Sequence, residues 1–279
     1  FYYSEYMSVK QIEHEIVIPD EGFSFKIFMF EGKNGHYFRS QHWHRSLEIF
    51  AVFKGNLSFY INDKPYPLHS GEMILINSNE IHSISSPEPN TTLVLQIPYS
   101  LFQKYVERDQ MVLFAHSLGS DRELLRLIWE IYQCIRSQRD GEEWRAQSYF
   151  SQIMYCLITR YREKKITEED LRQYRRLDRL SDITAYMSQH YDEELSLSSV
   201  AEKFGYSPAY LSRMFRKYGK TNYKTCLQTI RLEQAFRELK EGKKTIGEIA
   251  MDNGFPNSKA FAREFEKKHG LLPSTYKKD

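Results

Sequence analysis

The sequence predicts an α+β protein in three successive pieces: a β-barrel or sandwich (1–115), an antiparallel helix pair (116–177) and an all-α segment (178–279). Three observations carry this. Short runs up to about Pro98 alternate apolar and polar residues, as half-buried strands do. From Asp121 the apolar residues recur at helical spacing instead. After residue 196 one helix-turn-helix pattern occurs twice.

In the first piece, Phe23-Ser24-Phe25-Lys26-Ile27, Leu57-Ser58-Phe59-Tyr60-Ile61 and Leu93-Val94-Leu95-Gln96-Ile97 alternate, and Met73-Ile74-Leu75-Ile76 is a short buried run. Asn62-Asp63-Lys64-Pro65 and His69-Ser70-Gly71-Glu72 supply turn chemistry between them. Many short strands so spaced favour an all-β sandwich or barrel.

In the second piece, Leu124, Leu127, Ile128, Ile131 and Ile135 mark one amphipathic helix. After Asp140-Gly141, Tyr149, Ile153, Leu157 and Tyr161 mark another. Their apolar surface can pack on the β domain or form a dimer seam, and the spacing leaves both open. The charged stretch Arg162–Arg179 reads as a solvated linker.

Composition narrows the function classes. A hydrophobic fraction of 41% with 15% aromatics excludes wholesale disorder. The net charge of +2 hides an asymmetry: residues 1–196 carry 22 Lys/Arg against 28 Asp/Glu, and residues 197–279 carry 17 against 9. A basic end joined to an acidic front suggests that the end meets a polyanion. Cys134, Cys156 and Cys226 are widely spaced without a C-x-x-C, which fits reduced thiols rather than a disulfide framework or zinc ribbon. No apolar run approaches the roughly 18–20 residues that span a bilayer, and the stretch from Phe1 to Glu5 lacks an export-signal pattern, so a cytoplasmic chain without membrane contact is expected.

The third piece holds the strongest signal. Ala201, Gly205, Arg213 and Phe215 of the first copy correspond to Ala250, Gly254, Arg263 and Phe265 of the second, after one inserted residue. The small Ala lets two helices cross closely, and the Gly supplies the left-handed residue that ends the first of them. Tyr206 or Phe255 is expected to plug the core beneath the turn. Ser207 and Asn257 are N-caps, with Pro208 where a helix tolerates it. Leu211, Phe215, Phe261 and Phe265 then face inward. The opposite face carries Ala209, Ser212, Arg213 and Arg216 in one copy, and Ser258, Lys259, Ala262 and Arg263 in the other. These suit a major groove, where Arg matches guanine and small side chains admit thymine methyls. Lys217 and Lys267 follow as phosphate contacts. A connecting helix from Tyr223, with Leu227, Ile230, Ala235 and Leu239 on its apolar side, spaces the two readers.

The region from about Leu180 to Lys278 resembles the AraC/XylS family of bacterial transcription regulators. The likeness rests on Arg231-Leu232, Ala235 and Leu239, then Ile246, Ile249-Ala250, Gly254-Phe255, Phe261, Arg263 and Phe265, and finally Gly270, Pro273-Ser274 and Tyr276-Lys277. Lys259-Ala260 stands where Ser-Tyr is frequent, and Glu266 where Lys is usual. The resemblance implies two helix-turn-helix units joined by a long helix, base contacts from both, double-stranded DNA and RNA polymerase as partners, and a homodimer.

Upstream, His42-Trp43-His44-Arg45-Ser46-Leu47-Glu48 with Gly55, and later Gly71 and His82, resemble the two short motifs of cupin barrels. Asn77, Asn79 and Ser86 depart from the second motif. In enzymes of that fold these positions converge on a metal. Two His at i and i+2 on a strand share one face, and three imidazoles with one carboxylate suit Fe, Mn, Ni or Zn. Three roles stay open for His42, His44, Glu48 and His82: lining an effector pocket, holding a divalent metal, or structure alone. No cofactor is expected. Tyr60 is a further pocket candidate, and Trp43, Tyr60 and Tyr66 offer aromatic faces to a sugar.

The expected protein is thus not an enzyme. It is a regulator, by analogy an activator, controlled by a small, carbohydrate-related effector. The competing readings are a metal-dependent cupin enzyme fused to a DNA-binding domain, and an architectural DNA binder without ligand.

Overall fold

The computed structural model describes residues 13–15, 17, 19–20, 22–32, 37–105, 111–163 and 166–276; Phe1–Glu5, Lys164, Lys165, Lys277 and Lys278 lie outside that set. Contacts divide the chain into two compact units, Phe1–Asp178 and Arg179–Asp279.

In chain order the strands of the first unit are β1 (Glu13–His14), β2 (Lys26–Glu31), β3 (Tyr37–Trp43), β4 (Ser46–Lys54), β5 (Asn56–Ile61), β6 (Lys64–His69), β7 (Met73–Ile76), β8 (His82–Ser86), β9 (Thr91–Pro98) and β10 (Ser117–Gly119). One sheet has the order β1-β3-β8-β5-β6 and the other β10-β7-β4-β9-β2. All pairs are antiparallel except β1 with β3. The run Phe23-Ser24-Phe25 precedes β2 rather than forming its start.

Strand periodicity sorts the apolar side chains into two cores. Phe50, Val52, Ile74, Ile76 and Val94 of the second sheet meet Phe59, Ile61 and Ile84 of the first and fill the space between the sheets. The residues of opposite phase, Leu47, Ile49, Ala51, Leu75, Leu93, Leu95 and Ile97, face the other way onto helices. The second sheet is therefore buried on both faces, which is why β4 and β7 read as continuous apolar runs.

Those helices are α1 (Arg122–Ser137) and α2 (Glu142–Cys156), with a π-helical turn at Leu157–Tyr161. Asp121 caps α1 by accepting from the Glu123 and Leu124 amides, and Tyr161 donates to its other oxygen at 2.7 Å, so one carboxylate joins the start of α1 to the end of α2. Leu124, Leu127, Ile128, Ile131, Phe150, Ile153 and Leu157 are spent on the sheet. Of the two uses open to this surface, packing on the β domain is the one observed.

The solvated linker expected at Arg162–Arg179 is corrected by the structure: helix α3 (Glu168–Gln189) runs through most of it. Thr167 and Asp170 form a reciprocal cap, with the Asp170 amide donating to Thr167 Oγ1 and the Thr167 amide donating to Asp170 Oδ2. Glu168, Glu169 and Asp170 sit at the positive end of the helix dipole. Within the first unit Arg45 grips Asp178 through Nε at 3.0 Å and Nη2 at 2.7 Å, and Tyr174 packs on Tyr99.

The second unit continues α3 and adds α4 (Leu197–Lys203), α5 (Pro208–Lys217), α6 (Tyr223–Glu241), α7 (Ile246–Asp252), α8 (Ser258–His269) and α9 (Pro273–Tyr276). Leu180, Ile183 and Met187 of α3 are buried, and Tyr186 packs on Phe204 just after α4. Leu232, Ala235, Leu239, Ile249, Ala250, Phe255, Phe261 and Phe265 form one core around α6, α7 and α8. The cysteines are buried and none is in a disulfide. Among the described residues no helix is long and apolar enough to cross a membrane.

Gly55 joins β4 to β5 at φ +82°, and a Cβ there would lie 2.4 Å from the Pro89 carbonyl oxygen. Left-handed strain and backbone collision add, so Gly55→Ala is expected to cost at least about 2 kcal/mol. Urea unfolding with an unchanged m-value would measure it; a loss below ~0.5 kcal/mol would contradict the packing described.

Candidate functional site

Two places gather the residues singled out in the sequence. The first is the outer face of the two helix-turn-helix units. Gly205 and Gly254 adopt φ of +71° and +72°, as the turn requires. Ser207 accepts from the Tyr210 amide, with Pro208 opening α5; Asn257 accepts from the Ala260 amide to open α8. Ala201, Ala250, Leu211, Phe215, Phe261 and Phe265 are fully buried. Phe255 joins the core, whereas Tyr206 is only half-buried against Tyr210, so the plug beneath the turn exists in the second copy alone. Ala209, Arg213, Arg216, Lys217, Ser258, Lys259, Arg263 and Lys267 are exposed, and Ser212 and Ala262 are half-buried beside them. Arg263 donates to the neighbouring Glu264 at 3.1 Å. Tyr210, exposed on α5, was not picked out by the repeat because its counterpart is not aromatic.

The second place lies between the two sheets. Register brings its residues together: His42 pairs with His82 across β3 and β8, and Glu48 with Gln96 across β4 and β9. His44 follows β3 on the phase of His42. All four candidate ligands are buried, and one donor atom from each lies within 4.8 Å of the others.

The hydrogen bonds orient these donors. Nδ1 of His42, His44 and His82 each lies 2.9 Å from a backbone carbonyl, of Ser40, Ser46 and Glu80 respectively. A carbonyl only accepts, so each Nδ1 carries a proton and each Nε2 is turned toward the cluster. Nε2 of His44 is 3.1 Å from Glu48 Oε2. Nε2 of His82 is 3.3 Å from the same oxygen and has no hydrogen-bond partner. Gln96 Nε2 donates to Glu48 Oε1 at 2.8 Å and turns Oε2 toward the imidazoles. Glu15, held by Arg39, stands 3.8 Å from His42 Nε2.

Burial pushes His42 well below its ordinary pKa, and the nearby His82 ring and Arg39 disfavour a charge there as well. Burial opposes a charge on His44 too, but the Glu48 carboxylate outweighs it and raises that pKa. Burial alone would raise Glu48; the His44 and His82 rings hold it well below the carboxylate range. A buried carboxylate among three imidazole nitrogens, once His44 gives up the proton it shares with Glu48, is a donor set for a divalent cation. His82 Nε2, orphaned and aimed into the cluster, is the atom a cation would satisfy, so the residues fit a metal.

Tyr60 is corrected: Phe59 and Ile61 take the inward phase of β5, which turns Tyr60 outward to 44% exposure. Trp43 is buried, and Tyr66 packs on His116 and, half-buried, against the apolar core between the sheets. Gln96 escaped notice, although a lone amide in the phase of Val94 on a buried strand was a legible signal.

Comparison with known proteins follows the same division. A family model described as a helix-turn-helix domain matches residues 200–279, and one described as an AraC-like ligand binding domain matches residues 27–154. The chain is 35% identical over 98 residues to the regulatory protein SoxS of Escherichia coli (strain K12), covering 92% of it and 35% of this chain. It is 22% identical over 243 residues to an uncharacterised HTH-type transcriptional regulator of Staphylococcus aureus (strain COL), across 84% of this chain but 32% of that one. The chain thus spans about a third of the length of those staphylococcal relatives. Among solved structures, ToxT from Vibrio cholerae O395 aligns with a TM-score of 0.58 at 17% identity, over 91% of this chain and 96% of that one. Unsaturated fatty acid bound wild-type ToxT from Vibrio cholerae strain SCE256 aligns at 0.60 and 16% identity, over 93% and 96%. At such identities the likeness is one of fold.

Proposed function

The chain belongs to the AraC/XylS family of transcription regulators, and from that premise we propose that it binds a specific DNA sequence under the control of a small molecule held in its β domain. The observation that carries this is the pair of capped helices, each presenting an exposed arginine: Arg213 one turn from Ala209, and Arg263 beside Ala262 and one turn from Lys259. A guanidinium flanked by small side chains can read guanine and an adjacent thymine methyl from the major groove. Selection of bound fragments from genomic DNA tests it. One enriched motif with two blocks is expected; binding that random DNA competes away equally would end the proposal.

Lys217 and Lys267 serve this reading as phosphate contacts. Changing either to alanine is expected to weaken all sequences alike and to lower the slope of log K against log salt by about 1. Titrations at several salt concentrations measure it, and a change confined to one sequence would contradict the assignment.

The effector binds, on this reading, at the polar cluster between the sheets, where buried imidazoles and a carboxylate interrupt the apolar packing. The outward turn of Tyr60 removes one support for the carbohydrate expected from the resemblance. Fatty acid binding by ToxT brings a carboxylate-bearing ligand into consideration beside a sugar. RNA polymerase and a second copy of the chain enter as partners from the resemblance; Trp144 and Tyr155, exposed on α2, are surface that a second copy would cover.

A second reading is favoured by the three Nε2 atoms turned toward one carboxylate: His42, His44, Glu48 and His82 hold a divalent metal. Bound there, the metal would act as a Lewis acid toward oxygen donors of a ligand. Gln96 and the carbonyls of Ser40, Ser46 and Glu80 would keep the four ligands oriented.

A further inference from the structure

Arg231 lies near the middle of α6, the helix joining the two DNA readers, and its guanidinium reaches three backbone carbonyls. Nε donates to Tyr191 at 2.7 Å, Nη2 to Glu193 at 2.9 Å and Nη1 to Gly254 at 2.9 Å. Tyr191 and Glu193 belong to the loop between α3 and α4, on the side of the first reader. Gly254 is the turn of the second. One planar fork therefore ties both readers to the helix between them, which a lysine ammonium, a point charge on a flexible stem, cannot reproduce.

The two turn glycines show that the second turn is built around this fork. Gly205 and Gly254 have the same backbone conformation, yet a Cβ at Gly205 would meet nothing within 4 Å. At Gly254 it would lie 2.7–2.8 Å from Cζ, Nε and Nη2 of Arg231. Gly205 answers a backbone demand alone; Gly254 also makes room for the guanidinium.

We infer that Arg231 is a positioning residue, a cross-brace that fixes the separation of the two readers and so sets the spacing between the two base blocks the protein accepts. The inference rests on the DNA-binding reading above. Two linked readers gain from each other only while their separation matches the span of the site, and a stiffer link makes that match more demanding. Without the brace α6 still joins the readers, but the second turn loses its tie to the α3–α4 loop.

The test uses the full chain and a duplex that the wild-type protein selects from random-sequence DNA. One derivative has a base pair inserted between its two blocks, and another has one block scrambled. Wild type is expected to bind the inserted duplex at least about tenfold more weakly than the selected one. Arg231→Lys is expected to lose about tenfold on the selected duplex, stay near wild type on the scrambled one, and suffer less than about threefold from the insertion. Gly254→Ala should behave like Arg231→Lys, and Gly205→Ala should keep the full insertion penalty. Gly254→Ala serves as the independent route if Arg231→Lys melts too low to assay.

Equal losses on selected and scrambled duplexes, or an insertion penalty as large as in wild type, would overturn the brace. A wild-type chain that selects no sequence overturns the DNA-binding reading instead, so the two failures are distinguishable.

Discussion

Removing both Arg213 and Arg263 is expected to weaken binding to the selected DNA by about 2–6 kcal/mol, or roughly 30-fold to 10⁴-fold, while leaving binding to random DNA nearly unchanged. Each bidentate arginine–guanine pair discriminates by about 1–3 kcal/mol, and the two sit on separate helices, so their effects should add. The single variants should not be equal. Arg263 donates to Glu264 at the surface, an ion pair worth about 0–1 kcal/mol that must open before the guanidinium reaches a base. Among the described residues Arg213 has no such partner. Arg213→Ala should therefore cost more than Arg263→Ala by up to about 1 kcal/mol, and Glu264→Gln should strengthen binding slightly. Anisotropy titrations against selected and random duplexes decide it. Two arginine variants that bind the selected site as wild type does would mean that α5 and α8 are not the recognition helices.

On the metal reading, protein purified without a histidine tag carries one equivalent of a divalent metal, and His82→Ala lowers its affinity by at least about 100-fold. The outer position is subtler. Gln96→Ala leaves all four ligands in place but frees Glu48 to rotate, and should cost about 10–100-fold. Restoring metal to chelator-treated protein should raise the unfolding midpoint; at a thousand times the dissociation constant the gain is about 4 kcal/mol. A purely structural cluster predicts otherwise: variants that unfold more easily, in a protein whose midpoint ignores Zn, Ni, Mn and Fe(II) alike. That outcome would return His44 and Glu48 to the role of a buried ion pair, whose loss alone costs several kcal/mol.

The missed helix is instructive because its signals were present. Tyr174, Leu177, Leu180, Ile183 and Met187 recur every three or four residues, and Thr167-Glu168-Glu169-Asp170 is a capping sequence. Charge masked them: between Arg162 and Arg179 the apolar residues are too few to show a stripe, and the stripe becomes continuous only beyond Leu180. The spare surface of α1 and α2 was undecided for a different reason. An apolar face has the same periodicity whether a sheet or a second chain covers it.

Residue types alone made legible what local sterics and hydrogen bonding control: both turn glycines, the caps at Ser207 and Asn257, and the inward phenylalanines of α8. Those features depend on neighbours within a few residues, so a repeat of residue types is a repeat of structure. What depends on register between strands far apart in the chain emerged with the folded sheets. His42 faces His82, Gln96 turns Glu48, and Tyr60 looks outward because β3, β8, β5 and β4, β9 pair as they do; a slip of one residue would invert each of these. Arg231 belongs with them, since the three carbonyls it gathers come from loops that α6 alone brings to one side chain.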